Sequence, residues 1–282
     1  MILIADSGAT KTDWFIGTAA DQGRTVQTEG INPFHQDGES IGRILHGSLL
    51  PQLTDSEVKA CAGVHFYGAG CLPSTTAPLE ACLQAAFPGA DIAVRSDLLG
   101  AARAVCGTSP GIACILGTGS NSCLYDGTDI VRNVSPLGYI LGDEGSGACI
   151  GKRFAGDCLK GLLPADLRDG WLEAYGLTPA GVLDKVYRQP LANRFLASLA
   201  PYIHRHRHRP EVAALLDDCF QSFFRRNVLA YGSPLPVSFT GSVAWYFQEE
   251  VKKAAVALNL SIGSFVLRPI EGLLTYHYQQ QS

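Results

Sequence analysis

The sequence predicts an α/β protein of two domains, each with a mixed central sheet and flanking helices. Three observations predict it. The chain has 282 residues, more than one domain of roughly 100–200 residues needs. Apolar residues make up 46% and charged residues 17%, a composition that can fill two cores and carries no signature of disorder. The same plan also occurs twice: a buried strand, a Gly-containing turn and a hairpin open each half, the two turns lying about 110 residues apart.

In order along the chain, Ile2–Ala5 is an apolar run that reads as a buried strand, ending in the turn Asp6-Ser-Gly-Ala-Thr-Lys-Thr12. Asp13–Gly17 and Thr25–Glu29 read as hairpin partners around Asp21–Gly23, Val64–Tyr67 as a strand into Gly68-Ala-Gly70, and Asp91–Arg95 as a strand ending at Ser96-Asp97. Ser74–Ala86 has helical character and stops at Pro88-Gly89. In the second half Ile112–Leu116 ends in Gly117-Thr-Gly-Ser120, and Cys123–Tyr125 and Ile130–Val131 flank the hairpin signal Asp126-Gly127. Helices dominate afterwards. Ile150, Phe154, Cys158 and Leu162 predict one apolar face, and Val212, Leu215, Leu216, Cys219 and Phe223 predict another. Leu235–Phe239 reads as a strand ending in Thr240-Gly-Ser-Val243 with a helix from Ala244, and Ser264–Leu267 as a last strand before a terminal helix after Gly272. The expected domains are 1–107 and 108–282, with the terminal helix from about 272 returning to the first domain.

Composition narrows the function. A net charge of -4 gives no basic field for nucleic acid or anionic membrane. No apolar run reaches the roughly 18 residues of a membrane span, and the N-terminus lacks the basic and cleavable segments of a secretory signal, so a cytoplasmic location is expected. The nine cysteines, odd in number and without a C-x-x-C pair, mostly sit in apolar strings, where a thiol behaves as a small buried hydrophobe. The short paired spacings of a zinc site are absent.

Gly-containing turns at the ends of buried strands suit phosphate, because glycine lets backbone N–H groups approach an anion closely. The familiar alternatives fail: Gly147–Arg153 does not have the spacing of a P-loop, and neither Gly68-Ala-Gly70 nor Gly117-Thr-Gly119 completes G-x-G-x-x-G. The set that matters is the ordered one: Asp6–Thr12, Asp97, Gly117–Asn121, Gly142-Asp-Glu-Gly145 and Phe239–Val243.

That set resembles the N-acetylglucosamine kinase-like branch of the actin-like ATPase superfamily, the group that also holds the BadF/BcrA-type ATPases. Its most specific part is Gly138-Tyr-Ile-Leu-Gly-Asp-Glu-Gly-Ser146. The resemblance implies two ribonuclease H-like domains around an interdomain cleft, and an ATP- and Mg²⁺-dependent kinase acting on an amino sugar, with a homodimer allowed. It implies that Asp97 accepts the proton of the attacking sugar hydroxyl and that Asp6 organises Mg²⁺ through water. Gly8, Thr10, Lys11 and Thr12 in the first turn, and Gly117, Thr118 and Gly119 in the second, would meet phosphate. Gly241 and Ser242 lie where the family has its adenosine motif. Asn32, Phe34, Asn121, Gly138 and Asp143 match acceptor contacts, and Glu144 is expected to support the start of the following helix. Where animal members carry tryptophan, this chain has Phe34 and Leu137. The expected reaction is phosphorylation of the 6-hydroxyl of N-acetylglucosamine or N-acetylmuramic acid.

Simpler roles compete for some of these residues. Asp97 and Asp143 are both candidates for helix N-caps, and Asn32 for a turn before proline. The run His204–Arg209 reads as a solvated segment, and Phe223-Phe224, Trp245 and Tyr276–Tyr278 as packing. Two other functions share the fold implied: an iron–sulfur activator ATPase, which would need ligating cysteines such as Cys123 or Cys149 at a dimer interface, and a sugar sensor without turnover, for which Asp97 would be superfluous.

Overall fold

The computed structural model describes residues 1–8 and 10–279. The chain divides into two compact units: 1–109 with 127–129 and the segment from Arg268, and 110–126 with 130–267.

The first unit is built on a five-stranded sheet in the order β3-β2-β1-β4-β5, from β1 (Ile2–Ser7), β2 (Lys11–Ala19), β3 (Gln22–Glu29), β4 (Gly63–Gly68) and β5 (Asp91–Ser96). β2 and β3 form the antiparallel hairpin, while β1, β4 and β5 run parallel. β1 lies in the middle and is apolar on both faces, as a strand covered from both sides must be. Leu3 and Ala5 join Trp14, Ile16, Val64 and Phe66 on one face. Ile2 and Ile4 point the other way, to Phe15, Tyr67, Ile270 and Leu273. The edge strand β3 is mostly exposed and inserts only Val26 and Thr28. The hydroxyl of Thr28 accepts the indole N–H of buried Trp14 at 2.9 Å.

The second unit repeats this topology. Its sheet has the order β10-β9-β6-β7-β8, from β6 (Gly111–Leu116), β7 (Ser120–Tyr125), β8 (Ile130–Asn133), β9 (Val237–Thr240) and β10 (Ile262–Val266). β6, β7 and β8 form the antiparallel part, and β9 and β10 run parallel to β6. The internal duplication expected from the sequence is thus present strand for strand. Helices Gly147–Leu159 and Pro210–Phe223 bury Ile150, Phe154, Cys158, Val212, Leu216 and Phe223 in one large core.

Four sequence expectations shift, each for a local reason. β9 begins at Val237 and not at Leu235, because Pro236 has no N–H to give the ladder. Leu162 leaves its expected apolar face and is 68% exposed, because the helix ends at Leu159 and Gly161 turns the chain in the left-handed region. Trp245 is also on the surface, 38% exposed, and Phe247 fills the core position instead. The terminal helix starts at Pro269, three residues before Gly272. Proline is suited to the first helical turn, and Gly272 is a packing contact inside the helix: a Cβ there would lie 2.2 Å from Ala104 O of helix Asp97–Cys106. Six of the nine cysteines are buried. Among the described residues no helix is long and apolar enough to cross a membrane.

The terminal helix carries a buried polar cluster. His277 stacks on His65 at 4.1 Å, and its Nε2 lies 2.9 Å from the hydroxyl of Tyr67, which also accepts from Arg103 at 2.8 Å. Burial first, then the positive surroundings of His65 and Arg103, push the imidazole of His277 down to about 3. His65 is lowered for the same reasons, with Arg95 in addition.

Two outcomes follow. Gly272→Leu drives a side chain into a helix backbone and should destabilise the chain by about 1–3 kcal/mol, seen as a lower Tm. For His277, the unfolded chain takes up a proton from about pH 6.5 downward while the folded chain does not, so stability is full above that pH and falls steadily toward about 3. Tm should therefore drop between pH 7.5 and 5, and His277→Phe should flatten that drop.

Candidate functional site

In the first unit, the carboxyl ends of β1 and β5 bring two carboxylates to the same edge of the sheet. Ser7 of β1 is in register with Gly68 of β4, which is in register with Ser96 of β5. Asp6 is the penultimate residue of β1 and Asp97 follows β5. The carboxyl ends of parallel strands are where open α/β sheets bind ligands. Burial raises the pKa of both groups. Asp6 is pushed up to about 7, by burial and then by the charges of Asp13 and Asp97, with Lys11 opposing. Asp97 is not the N-cap of its helix: Ser96 accepts from Leu99 N at 3.2 Å and fills that role. Asp97 Oδ1 accepts from Leu98 N at 2.8 Å, and Oδ2 has no partner among the described residues, which suits a proton acceptor.

The first turn is braced from inside. Gly8 N donates to Lys11 O at 3.0 Å, and Gly30 N to Thr10 O at 3.1 Å. Gly8 and Thr10 are exposed, and the side chain of Lys11 is half exposed. Thr12 is fully buried, donates to Glu29 O at 3.1 Å and lies 2.7 Å from Ser7 Oγ. Its hydroxyl therefore braces the turn from inside. Lys11 Nζ sits 2.9 Å from Asp13 Oδ2, and Gln27 bonds the other oxygen of Asp13. Sequence reasoning missed Asp13 and Gln27. The alternation of β2 could have shown Asp13, a carboxylate pointing where a strand residue should be buried.

Mg²⁺ fits this edge. Among the described residues no group of three or more His, Cys, Asp or Glu side chains forms a metal cage. Mg²⁺ takes one or two carboxylates and completes its shell with water and phosphate, and a carboxylate raised by neighbouring acids is stabilised by a cation.

The second turn has a different brace. Gly117 N donates to Gly119 O at 2.9 Å, while Gly147 N and Ala148 N, the first amides of helix Gly147–Leu159, donate to Gly117 O and Thr118 O at 2.8 and 3.0 Å. The amides of Thr118 and Gly119 have no partner among the described residues and are free for an anion. Gly241, with φ 103°, presses against this turn: a Cβ would lie 2.5 Å from Leu116 O. Asp143, with φ 54°, accepts from Ser120 N at 3.3 Å, and a Cβ on Gly119 would meet its Oδ2 at 2.9 Å. Asp143 is not an N-cap either, since Ser146 Oγ accepts from Cys149 N at 3.1 Å. Glu144 does not support that helix start: it pairs with Arg226 and accepts from buried Asn227.

Beside Gly117, Thr118 and Ser242 opens a cavity of about 680 Å³, walled by Ala197, Ser198, Pro201, His204 and Tyr246. Its size is that of a small-molecule site. The sequence had pointed to Gly241 and Ser242 but not to the wall from residues 194–205, and His204–Arg209 is not simply solvated. His204 lies edge-on to Phe247 at 5.1 Å, His206 packs on Tyr202 at 4.3 Å, and Arg209 pairs with Asp166.

Among the expected acceptor contacts, Asn32 Oδ1 accepts from Phe34 N at 3.0 Å, and Gln36 ties the segment by accepting from Asn32 N at 2.7 Å. Phe34 is 61% exposed. Asn121 lies on β7, half-buried, one residue past the second turn. Gly138 is exposed, with φ 72°, behind Leu137 at φ 60°. Cys123 is fully buried, not at a surface where two chains could share a cluster.

Comparison with solved structures gives a full-length match. A candidate N-acetylglucosamine kinase from Porphyromonas gingivalis superposes with TM-score 0.95 at 48% identity, covering 100% of both chains. One from Chromobacterium violaceum gives TM-score 0.74 at 20% identity over 98% of this chain and 99% of its own. A ROK family glucokinase from Streptomyces griseus, in complex with glucose and AMPPNP, gives 0.63 at 13% identity over 99% and 100%. The last two show the fold alone. No protein-family model matches the chain, and no curated protein matches it.

If the cavity beside Thr118 takes the nucleoside, Ser198→Trp should fill it. Affinity for a fluorescent adenine nucleotide should fall at least about tenfold, or ~1.4 kcal/mol, with Tm nearly unchanged.

Proposed function

We propose, for a chain that belongs to the N-acetylglucosamine kinase-like branch of the actin-like ATPase superfamily, that it transfers the γ-phosphate of ATP to the 6-hydroxyl of N-acetylglucosamine, with N-acetylmuramic acid as a further acceptor. The observation that carries the reading is Asp97: a buried carboxylate at a strand's carboxyl end, excused from capping by Ser96 and left with one oxygen unpartnered among the described residues. A sensor has no use for such a group, whereas a kinase needs a base for the attacking hydroxyl.

The remaining residues divide the work. The free amides of Thr118 and Gly119 and the ammonium of Lys11 receive the phosphates, as preorganised donors do. Tyr246, His204 and Ser198 wall the cavity assigned to the nucleoside. Asn32 and Asn121 hold the sugar. Asp143, which accepts from Ser120 N, holds the second turn in place and is assigned an oxygen contact to the acceptor. Asp6 is the residue that would hold Mg²⁺, and that ion supplies neutralisation of phosphate charge when bound. Burial raises the pKa of Asp97, which makes its carboxylate a stronger base toward the attacking hydroxyl.

The test is ADP release by purified protein with ATP, Mg²⁺ and a panel of amino sugars, followed by identification of the phosphorylated carbon. Asp97→Asn should lower kcat by about 10²–10⁴-fold with the KM values for ATP and sugar nearly unchanged. Near-wild-type turnover in that variant would refute the assignment of the base, and hydrolysis indifferent to any sugar would refute the kinase.

A further inference from the structure

We propose that Asn133 is a positioning residue that locks the side chain of Asn121 as a hydrogen-bond donor, so that the sugar must meet Asn121 with an oxygen lone pair. The proposal rests on the reading of Asn121 as a sugar contact and adds to it the polarity of that contact.

The polarity follows from backbone groups, which are unambiguous. Asn133 ends β8 and stands across the hairpin from Cys123. One terminal atom of its amide lies 2.7 Å from Ser122 O and 3.1 Å from Val134 O. Carbonyl oxygens only accept, so that atom is the nitrogen Nδ2. The same nitrogen lies 2.9 Å from a terminal atom of Asn121, which must therefore be the oxygen. A second, independent donor agrees: Ser122 N–H reaches that oxygen at 2.9 Å. Turning the Asn121 amide over would set its N–H groups against two other donors.

The consequence lies on the other side of the Asn121 amide. Its Nδ2 has no partner among the described residues, and it carries two N–H groups and nothing to accept with. Asn32 of the first unit shows the same polarity, because Phe34 N–H holds its Oδ1. A hydroxyl or amide carbonyl oxygen answers such a donor. The ammonium of an unacetylated amino sugar, which only donates, does not.

Asn121→Asp makes a clean probe. It keeps an oxygen for Ser122 N–H and for Asn133, and it replaces the outward pair of donors by an acceptor oxygen, together with one negative charge. Steady-state kinetics with N-acetylglucosamine should show sugar KM rising at least about tenfold in Asn121→Asp and less in Asn121→Ala, with ATP KM and Tm unchanged. Asn133→Ala should raise sugar KM severalfold with kcat within about twofold, since the amide then keeps only Ser122 N–H of the two donors that fix it. If Asn121→Asp is no worse than Asn121→Ala, while both raise sugar KM, the donor assignment is overturned and Asn121 stays a sugar contact. An unchanged sugar KM in Asn133→Ala overturns the positioning role. If neither Asn121 variant alters sugar KM, the proposal falls with the contact it builds on. A wild-type enzyme without sugar-dependent turnover overturns the kinase reading itself.

Discussion

Two hydrogen bonds, from the amides of Gly147 and Ala148 to the carbonyls of Gly117 and Thr118, hold the second unit's site together. The first amides of a helix are unsatisfied by the helix itself. Here they grip the carbonyl side of the turn, which leaves the amides of Thr118 and Gly119 facing outward. The grip demands close approach. A Cβ on Gly147 would lie 3.2 Å from Gly117 O and 3.1 Å from Ala197 Cβ. It also demands that the chain reach the helix by a sharp path, supplied by Asp143 and Gly145 in left-handed backbone and by the cap at Ser146. The residues of Gly142–Ser146 thus share one task, to deliver a helix start to the Gly117–Gly119 turn. Asp143 reaches across to the same turn through Ser120 N.

The first unit meets the same need with charge. The charges of Asp13 and Asp97 disfavour the ionised form of buried Asp6, and Lys11 opposes them. A sheet edge that concentrates acids is unfavourable without a counter-cation, so a cation bound there would add to the stability of the unit. Thr12 and Ser7 keep the turn fixed beneath those charges.

Much of this was legible in the sequence because strand, glycine turn and hairpin are local events. β1, β6 and the hairpins announce themselves through apolar runs and turn residues within a few positions. The site was legible where a backbone need fixes the residue, as at Gly117, Gly119 and Gly241. It was illegible where function depends on tertiary neighbours. The cavity wall comes from a stretch of short helices, including Ala192–Ala197 and Ala200–Arg205, in which polar and apolar residues alternate without a clear period. His204 looked solvated because Phe247, its packing partner, is more than forty positions away. Thr12 looked like a phosphate ligand because only the fold shows its hydroxyl turned inward to Glu29. Asn133 carries no motif at all, and its meaning appears only across the hairpin from Asn121.

The terminal helix Pro269–Gln279 belongs to the first unit, although it is synthesised after the whole of the second. During translation the sheet β1–β5 therefore emerges long before the residues that cover one of its faces. Ile4, Phe15 and Tyr67 wait for Ile270 and Leu273, while residues 130–267 form a continuous stretch able to collapse earlier. Domains generally fold as they leave the ribosome, with the N-terminal one first. This chain reverses the order of completion: the part made first is the part finished last, and one apolar face of its sheet stays uncovered in the interval.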